Sequence, residues 1–190
     1  MITIIQGGQT GVDRGAYQAA VDNGWSLAGY MPREARDELG PIPKDVARHL
    51  VPHDRAGYGA RTEANVQSAS AVLIVVRDAR EPGATPGTAK TIELAAGRRL
   101  RCKIVDPTSD AAPIARWIWN DLRTPGVLML ALDNFQDLDP VPTRLLVAGP
   151  RESKWPGARL ETVAFLHRVA LAIAGIRTPA QEQDLPLEQR

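Results

Sequence analysis

Apolar residues along this chain fall into short β-branched runs separated by stretches with helical spacing. ITIIQ at residues 2–6 ends at Gly7-Gly8, which predicts a buried strand closed by a tight loop. Val12, Ala16, Ala19, Ala20 and Val21 then recur at helical intervals over 12–23, and Gly24 marks the stop. WSLAGYM reads as a second strand. Residues 32–60 are rich in Pro, Gly and charge, and GPIP (Gly40 to Pro43) argues against regular structure, so a long loop with one short helical turn is expected. A loop of that length in a compact domain is often functional. Thr62 is placed to cap a short helix over 63–69. AVLIVV at 71–76 is the clearest buried strand. RDAREPGATPGT at 77–88 reads as a second glycine/proline loop, AKTIELAAGRRL as a helix, and KIV at 103–105 as a strand closed by Asp106-Pro107. Residues 112–122 carry Ile114, Trp117, Ile118 and Leu122 on one helical side. Segment 125–143 fits either a strand or an extra helix. RLLVAG at 144–149 is a further strand, and a last helix over roughly 158–174 carries Leu160, Val163, Ala164, Leu166, Val169 and Leu171.

Strands alternating with helices predict an α/β, Rossmann-like three-layer domain with a mostly parallel sheet. With 190 residues the chain suits one domain, expected over 1–176, followed by a polar, proline-containing tail over 177–190 expected to be disordered. Lys plus Arg number 23 against 22 Asp plus Glu; a net charge of +1 gives no reason to expect nucleic-acid or membrane-surface binding. The apolar start runs straight into a glycine loop rather than reading as a signal peptide, and no apolar run approaches the ~20 residues of a membrane span. The single cysteine, Cys102, precludes an intrachain disulfide, fits a cytoplasmic location, and is expected to be a small buried strand residue. Three scattered His and one Cys show no metal-ligand spacing, so no protein-ligated metal is expected.

In such sheets ligands bind where loops leave the carboxyl ends of strands, and three loops carry glycine there. GGQTGVDRGA brings Gly7, Gly8 and Gly11 to a strand-to-helix turn, where backbone N–H groups and a helix N-terminus favour an anion. Gln9 and Thr10 add donors, Arg14 a charge, and Asp13 an acceptor or, alternatively, a helix cap. The spacing is neither GxGxxG nor a P-loop. GPRES brings Gly149, Pro150, Arg151, Glu152 and Ser153 to a second such turn. Arg151 and Ser153 could grip an oxyanion, Glu152 could accept from a base or sugar hydroxyl, and Ser153 could instead cap a helix. PGATPGT places Gly87 and Thr88 at the start of a helix. Arg61 precedes the central strand. Asp37, Glu38, His49 and His53 read as solvated loop residues, and the four tryptophans as packing, with Trp155 next to GPRES.

Taken together, QGGQTGVDRGA, RTEANVQSASAVLIV, GTAKT and LLVAGPRESKWPG resemble the family of proposed molybdenum carriers, a circularly permuted YpsA-like branch of the SLOG superfamily, over about residues 2–174. The resemblance implies a Rossmann-like fold related to the Lonely-guy phosphoribohydrolases. LLVAGPRES would be the counterpart of their first strand and phosphate loop, and Arg61 falls where their catalytic arginine sits. Their PGGxGTxEE motif supplies a glutamate just after the GT pair. Here Thr88 is followed by Ala89, Lys90 and Thr91, and the first acid is Glu93, which points elsewhere on a helix. The reading is therefore a binding protein, rather than an enzyme, for a phosphorylated or anionic small molecule. The resemblance implies molybdenum cofactor (molybdopterin) as the bound ligand. The alternatives are a nucleotide N-glycosidic hydrolase using Arg61, Glu93 and Glu152, or a nucleotide sensor. Leu128 and Leu130 suggest a homo-oligomer interface.

Overall fold

The structure, a computed structural model, describes residues 2–122 and 143–177. The ambiguous segment 125–143, with Leu128 and Leu130, lies outside the described residues except for Thr143, as does the tail except for Arg177. In chain order the elements are β1 (Ile2–Ile5), α1 (Val12–Asp22), β2 (Ser26–Ala28), β3 (Tyr30–Met31), β4 (Arg36–Asp37), β5 (Gly40–Pro41), α2 (Lys44–Ala47), β6 (Val51–Pro52), α3 (Tyr58–Ser68), β7 (Ala71–Val75), α4 (Pro86–Gly97), β8 (Arg101–Val105), α5 (Ala112–Arg116) with a π turn over Trp117–Asp121, β9 (Thr143–Ala148) and α6 (Ala158–Arg177).

Five strands form one parallel sheet in the order β2-β1-β9-β7-β8. Side chains on successive strand positions point to opposite faces, and both faces are apolar, as a doubly covered parallel sheet requires. Ile4, Leu73, Val75, Leu145 and Val147 pack on one face beneath α1, α5 and α6, with Phe165 and Leu166 fully buried. Ile5, Val72, Ile74 and Leu146 pack on the other beneath α3 and α4, through Val66 and Ala95. Burying Phe165 or Leu166 contributes about 1.5–3 kcal/mol each. This is the expected α/β, Rossmann-like three-layer arrangement. Counted from β9, the order becomes 3-2-1-4-5, the doubly wound order whose winding reverses between first and fourth strands. The reversal here lies between β9 and β7. Their ends are so close that a Cβ on Gly149 would stand 2.2 Å from the Val75 carbonyl oxygen.

Several local expectations change. WSLAGYM is not one strand: Gly29, at φ 138° with the Gln6 carbonyl oxygen 2.1 Å from where a Cβ would sit, breaks it, and β3 leaves the sheet to pair with β6. Residues 32–60 hold a small hairpin (β4–β5), α2 and β6, and Met31, Ile42, Val46 and Leu50 pack with Tyr17 of α1. Thr62 does not cap the helix before β7. That helix begins at Tyr58, after Gly57 at φ 91°, and the Thr62 hydroxyl donates to the Tyr58 carbonyl one turn back. Cys102 is exposed rather than buried, because β8 is an edge strand whose first three residues are left uncovered. Val21, Leu160 and Leu171 are also exposed. Among the described residues, no helix is long and apolar enough to cross a membrane.

Candidate anion-binding site

The loop after β1 is fixed by a carboxylate. Asp13, 5% exposed on α1, accepts the N–H groups of Gly7 and Gln9 through Oδ2, both at 3.1 Å. It therefore pins the glycine loop and does not cap α1, whose N-cap Gly11 makes no side-chain bond. The Gly8 N–H donates to Gln6 Oε1 at 2.6 Å. Arg61 reaches across from α3, its Nη1 3.5 Å from Asp13 Oδ2, and its guanidinium takes the space a side chain at Gly7 would fill. A Cβ on Gly7 would stand 1.8 Å from Nη1. Burial pushes the Asp13 carboxyl up. Arg61 opposes this most strongly, then the N–H groups of Gln9 and Gly7 and the charge of Arg14, and the net shift is upward.

A cavity of about 280 Å³ opens outside the carboxyl ends of β1, β9 and β7, where the winding reverses. Gln9, Asp13 and Arg61 line it from one side, Gly87 and Thr88 from the start of α4, and Gly149, Arg151 and Lys154 from the loop after β9. Thr85 at the N-cap of α4 makes no capping bond to the helix backbone; its hydroxyl instead lies 2.7 Å from that of Thr88, leaving the first turn without a side-chain cap. Among the described residues lining the cavity, Arg61, Arg151 and Lys154 are cationic and Asp13 is the one carboxylate. Arg61 Nε is buried and has no hydrogen-bond partner. Such a lining has the charge to hold an oxyanion, and Asp13 and Gln9 could meet N–H or O–H groups beside it.

The remaining predicted residues do other work. Gly8 packs against Ile42 and Leu50, and Gly11, at φ 70°, lies against the backbone of residues 150–152. The Pro150 carbonyl accepts the Val12 N–H at 3.2 Å. Arg14 does not face the cavity: it pairs with Asp37 at 2.5 Å and donates through Nε to the Gly8 carbonyl at 3.3 Å. Burial lowers its affinity for a proton, countered by Asp37 and Asp13. Glu152 accepts the N–H groups of Gly157 at 2.6 Å and Arg159 at 3.1 Å, capping α6. Glu93 pairs with Lys90 at 3.1 Å on the solvent side, 70% exposed. Thr10 and Ser153 bond to Glu38, which is only 10% exposed and not the solvated loop residue that its polar surroundings suggest. Reading by motif also missed Lys154, although a cation next to GPRES was a usable signal. It missed Tyr58 and Thr62 on the cavity wall too, because the helix that carries them starts earlier than its pattern suggests. Among the described residues, no group of three His, Cys, Asp or Glu side chains is placed to hold a metal ion.

The chain's relatives agree with this fold. The model of the circularly permutated YpsA SLOG family matches residues 4–170. The chain is similar to the crystal structure of a protein described as a putative molybdenum carrier protein from Syntrophus aciditrophicus SB, with 26% identity, a TM-score of 0.68, and coverage of 88% of this chain and 93% of that one. None of the curated proteins matches the chain.

Proposed function

The chain belongs to the circularly permutated YpsA SLOG family, and on that premise we propose that it binds a phosphorylated or otherwise anionic small molecule without turning it over. The observation that carries this reading is the charge balance of the cavity: Arg61, Arg151, Lys154 and the uncapped start of α4 against one buried carboxylate, Asp13. Anions at a helix N-terminus and beside guanidinium groups need no metal and no catalytic base. Molybdenum cofactor is the proposed cargo, supported by the description of the similar crystal structure. It is a phosphorylated pterin carrying its metal on a dithiolene. The cationic wall suits its phosphate, and Gln9 and Asp13 suit the N–H edge of a pterin. The metal would arrive on its own dithiolene.

Hydrolysis of an N-glycosidic bond is less well supported. Arg61 lines the cavity, but Glu93 faces solvent in its pair with Lys90, and both oxygens of Glu152 are taken by the start of α6. General-acid catalysis needs a carboxyl within hydrogen-bond reach of the leaving group. The test is native mass spectrometry of protein purified gently and without oxygen, with elemental analysis for molybdenum. A pterin-phosphate mass with stoichiometric molybdenum is the expected result. Release of free base from nucleoside monophosphates, lost in Arg61→Ala, would overturn the reading in favour of an enzyme.

A further inference from the structure

Beside the cavity, the loops after β1 and β9 converge on a second set of donors, and one of the chain's own carboxylates already occupies it. Glu38 Oε1 accepts the Thr10 hydroxyl and, at 3.0 Å, the Ser153 N–H; Oε2 accepts the Ser153 hydroxyl and pairs with the Arg151 guanidinium, Nε at 3.1 Å. Three hydrogen-bond donors and one paired guanidinium satisfy two oxygens of a side chain that is 10% exposed. Burial raises the Glu38 carboxyl, but the bonds from Ser153 and Thr10 and the Arg151 charge outweigh it and hold it below its ordinary value, so it is an anion at neutral pH. The donors come from the two strand-end loops where ligands of such sheets bind. The anion comes from elsewhere, the β4–β5 hairpin, whose strands are two residues each and whose tip residue Leu39 is 83% exposed. Arg151 and Gln9 belong to both places: Arg151 lines the cavity and holds Glu38, and Gln9 lines the cavity while its Oε1 accepts the Glu38 N–H at 3.2 Å.

We propose that Thr10, Arg151 and Ser153 form a second oxyanion site, contiguous with the cavity, that Glu38 fills when no ligand is bound and a phosphate group fills once the β4–β5 hairpin lifts away. The ligand class is thus a molecule with two separated anionic groups, one in the cavity and one here. The inference rests on the cavity being an anion site, and it adds that the chain competes with its own ligand. No covalent step is involved. The hairpin is held by the Arg14–Asp37 pair at 2.5 Å and by the buried Ile42 behind it, so lifting Glu38 breaks the contacts at the tip and leaves those at the base.

The test is calorimetric titration of the full chain with inorganic phosphate. The wild type is expected to bind one phosphate, at the cavity. Glu38→Ala is expected to bind a second, or to bind at least about tenfold tighter, since the donors no longer have to be taken from a carboxylate of the chain. Adding Ser153→Ala should remove that gain. A folded Glu38→Ala chain with wild-type or weaker binding would overturn the proposal, because a purely structural clasp loosens the site when removed. Should Glu38→Ala fail to fold, Glu38→Gln keeps the shape, loses the charge, and should still tighten binding; no tightening again overturns it. Failure of the cavity reading looks different: there the wild type binds no phosphate, and Arg61→Ala changes nothing.

Discussion

Gly11→Ala is the sharpest probe of how the two glycine loops are joined. Gly11 sits at φ 70° and ψ −125°, a region reserved for glycine, so an alanine there costs about 1–3 kcal/mol in backbone strain. Its Cβ would also stand 2.5 Å from the Pro150 carbonyl oxygen, 2.7 Å from the Glu152 nitrogen and 2.8 Å from the Arg151 carbonyl carbon, all backbone atoms that cannot swing aside. Relief requires the loops to part. That loses the bond from Val12 N–H to Pro150 and the bond from Glu152 N–H to the Thr10 hydroxyl, about 0.5–1.5 kcal/mol each. The sum is about 2–6 kcal/mol. Gly24→Ala is the matched control: φ is 64°, but nothing lies within 4 Å, so only the left-handed strain of about 1–2 kcal/mol applies. Both substitutions restrict the unfolded chain equally. For a domain of this size 1 kcal/mol moves Tm by about 2–4 °C, so the ~2.5 kcal/mol between the midpoints of the two ranges should melt Gly11→Ala about 5–10 °C below Gly24→Ala in thermal unfolding followed by circular dichroism. Equal melting temperatures within about 2 °C would refute the claim that the loops are locked through Gly11.

Gly7→Ala should weaken phosphate binding: the atoms nearest its Cβ would be those of the Arg61 guanidinium, so calorimetry should show a loss of roughly tenfold or more, and parting Arg61 from the buried Asp13 should lower Tm as well. Glu152→Ala should cost about 0.5–2 kcal/mol in urea unfolding, as removal of a helix cap does, whereas Glu93→Ala should stay within about 0.5 kcal/mol and leave phosphate binding intact. The Glu38 carboxyl is held below its ordinary 4.5 in the folded chain, so the stability it contributes is fully present above about pH 4.5 and is lost as pH falls through the folded value. The unfolding free-energy gap between wild type and Glu38→Gln should therefore close below that pH; a gap that stays constant contradicts the assignment. Asp13 carries the opposite sign: its folded pKa is raised, so its burial costs stability above that value and the cost disappears as pH falls.

The strands and the three glycine loops were legible in the sequence because β-branched runs ending in glycine leave few alternatives. ITII, AVLIV and RLLVA each end at a loop that reaches the site. Thr88 and Arg151 came with those loops and Arg61 with the segment before the central strand, and all three line the cavity. What the sequence hid was the pairing between distant residues. Nothing in RDELGP announces that Asp37 will take Arg14 and Glu38 will take Thr10, Arg151 and Ser153, because residues 32–60 have no periodicity to say which face they present. The roles of Asp13 and Glu152 were open for the same reason: a carboxylate in a polar loop can serve a ligand or a backbone, and only the packed loops decide that both serve N–H groups of the chain. Exposure of Cys102 depended on strand order, which local pattern does not contain.

The placement of β9 has a consequence for how the molecule comes into being. Among the described residues it is the last strand to be synthesised, yet it sits between β1 and β7 at the centre of the sheet. Until it emerges from the ribosome, Ile2–Ile5 and Ala71–Val75 have no shared neighbour, and both present unpaired backbone and bare apolar faces. Assembly cannot proceed strand by strand behind the advancing chain, as it can when sequence neighbours are also spatial neighbours. It must wait for contacts that span more than a hundred residues, which slows folding and prolongs the interval in which unpaired strand edges invite aggregation.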